Sequence, residues 1–150
     1  FFMFSNNMGI VHETAYYTGH EHASRFASFW FVPWLVTQQD MIARGLPTPM
    51  TQTEIDSERK KFSHMVGEDI ARYKPAVILI GHFDMLAGRP FDFMTYFGVD
   101  PYFERAWAGY KKDGMLKVRL TDYFPDTAAR IDTINYDIYR LAAAGESGTH

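Results

Sequence analysis

The sequence predicts a single α/β domain: a small, mostly parallel sheet of about four to five strands flanked by helices, with room for an antiparallel edge strand at the C-terminal end. Three observations carry this. A capped helical stripe spans residues 52–73. After Pro75 comes a continuous apolar run, Ala76-Val77-Ile78-Leu79-Ile80-Gly81. Such a run, bounded by Pro and Gly, marks a strand buried on both faces, which needs helices on both sides of a sheet. Finally, 150 residues with a hydrophobic fraction of 47% suit one domain with its own core.

The helix over 52–73 has the clearest signals. Thr51 stands three residues before Glu54, the spacing at which the hydroxyl and the carboxylate satisfy each other's free backbone amides, and Met50 and Ile55 hold the flanking hydrophobic positions. Ile55, Phe62, Val66, Ile70 and Tyr73 form the apolar stripe. Glu58, Arg59, Lys60, Lys61 and Asp69 form the wet side, and Pro75 stops the helix.

The other elements follow from shorter signals. Residues 1–4 read as the end of a buried strand, and Ser5-Asn6-Asn7 as a turn. Residues 8–21 show no sustained period and read as a loop with at most one helical turn. Residues 24–32, rich in rings and stopped by Pro33, read as a strand, and 33–49 as a long connection. Residues 88–98 read as a ring-rich loop. Asp100-Pro101 opens a helix with Phe103, Trp107 and Tyr110 on its stripe, Lys111 and Lys112 at its C-terminal end and Gly114 beyond. Residues 115–120 suit a strand. Residues 131–141 fit a helix or an edge strand, and their Thr, Ile and Tyr tip them towards strand; 143–150 read as a frayed tail.

Composition narrows the function. A formal net charge of −3 and one short basic cluster, Arg59-Lys60-Lys61, leave no electrostatic footprint for nucleic acid. The absence of cysteine excludes disulfides, thiolate zinc sites and a cysteine nucleophile. The longest apolar stretch, residues 29–36, is too short to span a bilayer and is broken by Pro33. There is no Gly-x-Ser-x-Gly, no Walker loop and no Gly-x-Gly-x-x-Gly, so no cofactor is expected. The 13 Phe, 9 Tyr and 3 Trp point to a core built on rings, or to a ring-lined binding surface at Phe91, Phe93, Tyr96 and Phe97.

Five residues stand out chemically. His20 and His22 share a face if the backbone is extended, and with Glu13 or Glu21 would make a zinc set. The plainer reading is a hydrogen-bonded histidine loop. His82 and Asp84 follow the buried strand directly, where ligands collect in α/β sheets and an imidazole and a carboxylate can act as acid and base. Arg25, inside an apolar stretch, calls for a carboxylate partner or an anionic ligand. Asp122 and Asp126, in a turn-rich stretch, read as caps.

The order of segments also resembles a known family. Tyr17-Thr18-Gly19, then Ala23-Ser24-Arg25-Phe26-Ala27-Ser28-Phe29-Trp30 and Pro33, are similar to a stretch of C-type multi-pass membrane glycosyltransferases, relatives of protein mannosyltransferases and lipid A aminoarabinose transferases. Residues 69–80 resemble their helix, proline and buried strand. Asp100-Pro101-Tyr102-Phe103 with Tyr110 resemble the next helix, and Tyr136-Asp137-Ile138-Tyr139-Arg140 the final strand. The resemblance implies the soluble C-terminal domain outside the cytoplasm, on the extracytoplasmic face of a bacterial membrane. The apolar start, Phe1-Phe2-Met3-Phe4, then reads as a piece of a longer protein whose partner is its own upstream transmembrane part. The parent would move a sugar from a polyprenyl-phosphate carrier to an acceptor, with catalytic carboxylates on a membrane loop that these residues do not contain. A free-standing hydrolase or metal-binding domain using His20, His22, His82 and Asp84 is the alternative.

Overall fold

The structure, a computed structural model, describes residues 1–84, 89–119 and 133–142. Its elements are β1 (Phe2–Phe4), α1 (Met8–Thr18), α2 (Phe31–Ala43), α3 (Gln52–Tyr73), β2 (Val77–Gly81), β3 (Phe83–Asp84), β4 (Arg89–Pro90), α4 (Phe93–Phe97), α5 (Pro101–Trp107), β5 (Tyr110–Arg119) and β6 (Thr133–Leu141). Among the described residues there is a four-stranded sheet, order β1-β2-β6-β5, and a two-stranded ribbon, β3-β4.

The α/β expectation holds, but the sheet is mixed rather than mostly parallel. Only β1 and β2 run parallel; β2–β6 and β5–β6 are antiparallel. The C-terminal strand is antiparallel as expected, yet it lies in the sheet interior between β2 and β5. Alternation along the strands divides the core. Phe2, Phe4, Ile78 and Ile80 join α2, α3, α4 and α5 in one cluster, while Met3, Leu79, Ile134 and Tyr136 meet Ile10 and Val11 of α1 in a second. Helices thus cover both faces of β2.

Helix α3 forms as its signals predict. Thr51 Oγ1 accepts from Glu54 N at 3.3 Å, and Thr51 N donates to Glu54 Oε2 at 2.8 Å. Lys74 then leaves the helix in the left-handed region, with φ 43°. Gly67 permits the close crossing with α5, because a Cβ there would lie 2.8 Å from Phe103 Cα.

Other segments differ from expectation. Residues 8–18 form α1: Asn7 Oδ1 accepts from Ile10 N and Gly19 closes the helix at φ 66°. Residues 31–43 form α2, not connection, because Pro33 falls in the first turn, where its missing N–H is harmless. Residues 24–30 are irregular instead of a strand and run beside β1: Ala23 N donates to Phe1 O at 2.7 Å and Phe29 N to Ser5 O at 2.9 Å. In the ring-rich segment Asp92 caps α4, whose Phe93, Tyr96 and Phe97 turn into the core; they do not line a surface. Helix α5 ends at Trp107, and Tyr110 begins β5 with its hydroxyl donating to Pro75 O at 3.0 Å. Residues 120–132 and 143–150, with Asp122, Asp126 and the tail, lie outside the described residues. Among the described residues no helix is long and apolar enough to cross a membrane.

Replacing Gly67 by alanine should destabilise the protein by about 1–3 kcal/mol, because backbone must move to admit the methyl; urea denaturation reads the loss, and an unchanged midpoint would refute the close crossing.

Candidate functional site

Strands β1 and β2 are parallel, so their carboxyl ends open at the same end of the sheet, and His82 stands there as the residue after β2. Ile78, Ile80 and His82 alternate onto one face. Asp137 of β6 pairs with Ile80 and projects to that face too. His82 Nε2 lies 3.0 Å from Asp137 Oδ2, and Lys112 Nζ of β5 lies 2.7 Å from the same oxygen. A register shift between Lys112 and Gly114 breaks the β5 ladder at this point, as bulges beside functional sites often do. The Asp137 side chain is 9% exposed, whereas His82 and Lys112 are half-exposed.

Burial works to raise the Asp137 carboxyl, but hydrogen bonds from Lys112 and His82, with their charges, outweigh it and hold it below its ordinary value. Lys112 is raised in turn by its bond to Asp137. A carboxylate only accepts, so His82 carries its hydrogen on Nε2, and in the neutral imidazole the lone pair falls on Nδ1. Asp92, held low by Thr95 donating from its hydroxyl and amide, is close enough to feel the His82 charge. The niche therefore offers an oriented imidazole and a cation on a rigid three-strand base. That suits holding a polar ligand group or accepting a proton.

Of the residues singled out from sequence, His82 alone belongs to this niche among the described side chains. The Asp84 backbone pairs with Arg89 in the ribbon, and its side chain lies outside the described residues. Arg25 takes the carboxylate reading: its Nε donates to Asp69 Oδ1 at 2.8 Å and its Nη2 to Glu68 Oε2 at 3.0 Å, both on α3. His20 is exposed just past Gly19. His22 turns inward, where its Nε2 accepts the Met3 amide at 3.2 Å and its ring meets Phe1 and Phe2. Among the described residues no three His, Asp or Glu side chains converge as a metal site would require. Asp137 and Lys112 were not singled out from sequence. A carboxylate in the inward phase of an apolar strand was the available signal, hidden by reading that strand as an edge.

A second histidine bridges helices. His64 Nδ1 lies 3.4 Å from Asp100 Oδ2 and Nε2 3.8 Å from Glu68 Oε1, beside an open groove of about 510 Å³. Asp100 is also the N-cap of α5, accepting from Tyr102 N and Phe103 N, so this contact docks α3 against α5. In comparisons with known proteins the chain matches no family model, no curated protein and no solved structure.

Two titrations test these contacts. Lys112→Met should raise the Asp137 carboxyl, read by carboxyl-carbon NMR, and His82→Ala should raise it less. The stabilisation that Asp137 contributes is present above its ordinary 3.8 and lost as pH falls through the lowered value. For His22, burial pushes the imidazole from 6.5 down to about 4 despite the Met3 bond and Asp69. The unfolded chain then takes up the proton first, so His22 should make melting temperature decline as pH falls from 6.5 towards 4, and below that the further loss belongs to the carboxylates. His22→Gln, which still accepts from Met3, should flatten that decline.

Proposed function

We propose that the chain is an accessory extracytoplasmic domain of a polyprenyl-phosphate-sugar-dependent membrane glycosyltransferase, one that shapes the acceptor side and is not catalytic alone. The observation that carries this reading is the Lys112–Asp137–His82 niche. Three strands converge on one nearly buried carboxylate at the carboxyl end of β2, with an imidazole and an ammonium held at its rim. Such a niche can hold a polar ligand group. The segments behind the resemblance also form the structural spine: residues 23–30 flank β1, Asp69 to Ile80 run from α3 into β2, Asp100 caps α5, and Tyr136 to Arg140 lie in β6. The reading assigns the upstream transmembrane part of the same protein as partner and the acceptor as the group at the niche.

The bond from His82 Nε2 to Asp137 favours a second reading, a free-standing hydrolase in which His82 Nδ1 activates water. The two separate cleanly. In the parent transferase, His82→Ala or Asp137→Asn should raise the acceptor KM about tenfold, the loss of one charge-assisted contact, and leave kcat close to wild type. A coding sequence without long apolar helices upstream of Phe1, together with ester hydrolysis by the 150-residue chain that His82→Ala abolishes, would overturn the transferase reading in favour of the hydrolase.

A further inference from the structure

Helix α2 carries an exposed face that the candidate site does not use. Trp30 is 66% and Trp34 48% exposed, and their i,i+4 spacing puts both indoles on one side. Thr37 continues that side, and Ala27 is exposed just before it. From Phe26 through Gln39 the sequence holds no charged side chain. The opposite side of α2 is spent on the core through Phe31, Val32, Leu35 and Val36. The indoles are therefore fixed outward by packing beneath them.

Cations rim this neutral face. The Trp30 ring meets Phe31 edge-on at 6.2 Å, Phe31 stacks on Phe62 at 4.0 Å, and Lys61 Nζ lies 5.8 Å over Phe62. Lys61, which also pairs with Glu58 at 3.2 Å, and its neighbour Lys60 are exposed on α3, and Arg44 is exposed where α2 ends. Two large amphipathic rings with no charge between them, bordered by lysine and arginine, match the layer of a bilayer where acyl chains give way to anionic headgroups. Indoles favour that layer because one edge is polar and the body is not, and basic residues gain from the negative surface.

We infer that the Trp30–Trp34 face of α2 docks on the surface of a lipid bilayer containing anionic lipid. The indoles seat at the headgroup boundary, and Lys60, Lys61 and Arg44 face the phosphates. The inference rests on exposure and charge, and does not depend on the transferase reading.

Vesicle co-sedimentation of the 150-residue chain tests it, with phosphatidylcholine alone and with phosphatidylcholine mixed with phosphatidylglycerol. Wild type should bind the mixed vesicles with a blue shift of tryptophan emission, and bind the neutral ones more weakly. The W30A/W34A variant should bind about tenfold more weakly or worse, since most of the apolar contact is removed, while keeping the far-ultraviolet circular dichroism of wild type. K60E/K61E should erase the preference for anionic vesicles and leave the rings in place. Absence of wild-type binding, or equal binding by W30A/W34A, would overturn the inference. So would a concentration-dependent dimer that W30A/W34A dissolves, since the face would then belong to a second copy. Binding as expected beside a normal acceptor KM in the niche variants would remove the transferase reading and leave this one standing.

Discussion

The Phe4 ring is the contact on which the rest of the fold depends. Strand β1 is three residues long, too short to hold its place by ladder hydrogen bonds alone. Phe4 lies 5.0 Å from Phe2, 5.4 Å from Phe29, 6.0 Å from Phe93, 5.6 Å from Phe97, 6.1 Å from Phe103 and 6.5 Å from Trp107. One side chain thus ties the strand to the segment before α2 and to both α4 and α5. Ring pairs of this kind contribute beyond the area they bury. The outer edge of β1 is closed as well: Ala23, His22 and Phe29 take up its free backbone groups at Phe1, Met3 and Ser5. An edge left bare would invite pairing with another chain. His22 is therefore an acceptor for backbone, and burial keeps it neutral for that task.

The same register sets up the niche. Gly81 pairs with Tyr136, and a Cβ on Gly81 would lie 3.0 Å from the Tyr136 ring and 3.1 Å from Phe4 O. Any larger residue there would push the strand that carries Asp137 and displace the start of His82. The polarity of the niche is not explained by stability. Burying a carboxylate costs free energy, and a paired carboxylate recovers about what an apolar side chain of similar volume would contribute without it. Only Lys112 and His82 together make Asp137 tolerable in the sheet interior. Both side chains remain half-exposed, so the arrangement keeps polar groups at the rim where a ligand can reach them. That pattern fits a site better than it fits a core contact.

What was legible in the sequence divides along a physical line. Elements specified by local chemistry were readable: the reciprocal Thr51–Glu54 cap, the Asp100-Pro101 start and the Ala76–Gly81 run all became what their residues dictate. Elements decided by tertiary contact were not. Residues 24–32 have strand-like composition, but Arg25 is drawn to Asp69 and Ser24 bends the chain, its hydroxyl accepting from Phe26 N. Pro33 looked like a stop and instead sits in a first turn. Spacing alone could not end α5 at Trp107, because Tyr110 keeps facing the core from a strand, anchored on Pro75. The site was half readable for the same reason. His82 follows from the strand before it, whereas Asp137 and Lys112 depend on β6 lying between β2 and β5.

Placing β6 inside the sheet changes what the domain can do. As an edge strand it would have put Asp137 in water, where a carboxylate needs no partner. Between β2 and β5 its alternate residues face two covered surfaces, and Asp137 has to find partners from both neighbours. The strand order then separates two regions of the molecule. The niche draws on β2, β6 and β5, while the residues leading into α2 lie along β1 at the other edge of the sheet. Trp30 and Trp34 take no part in the contacts of Asp137 with Lys112 and His82. The niche follows from where a single antiparallel strand was inserted, because only between β2 and β5 does Asp137 meet His82 and Lys112 at once.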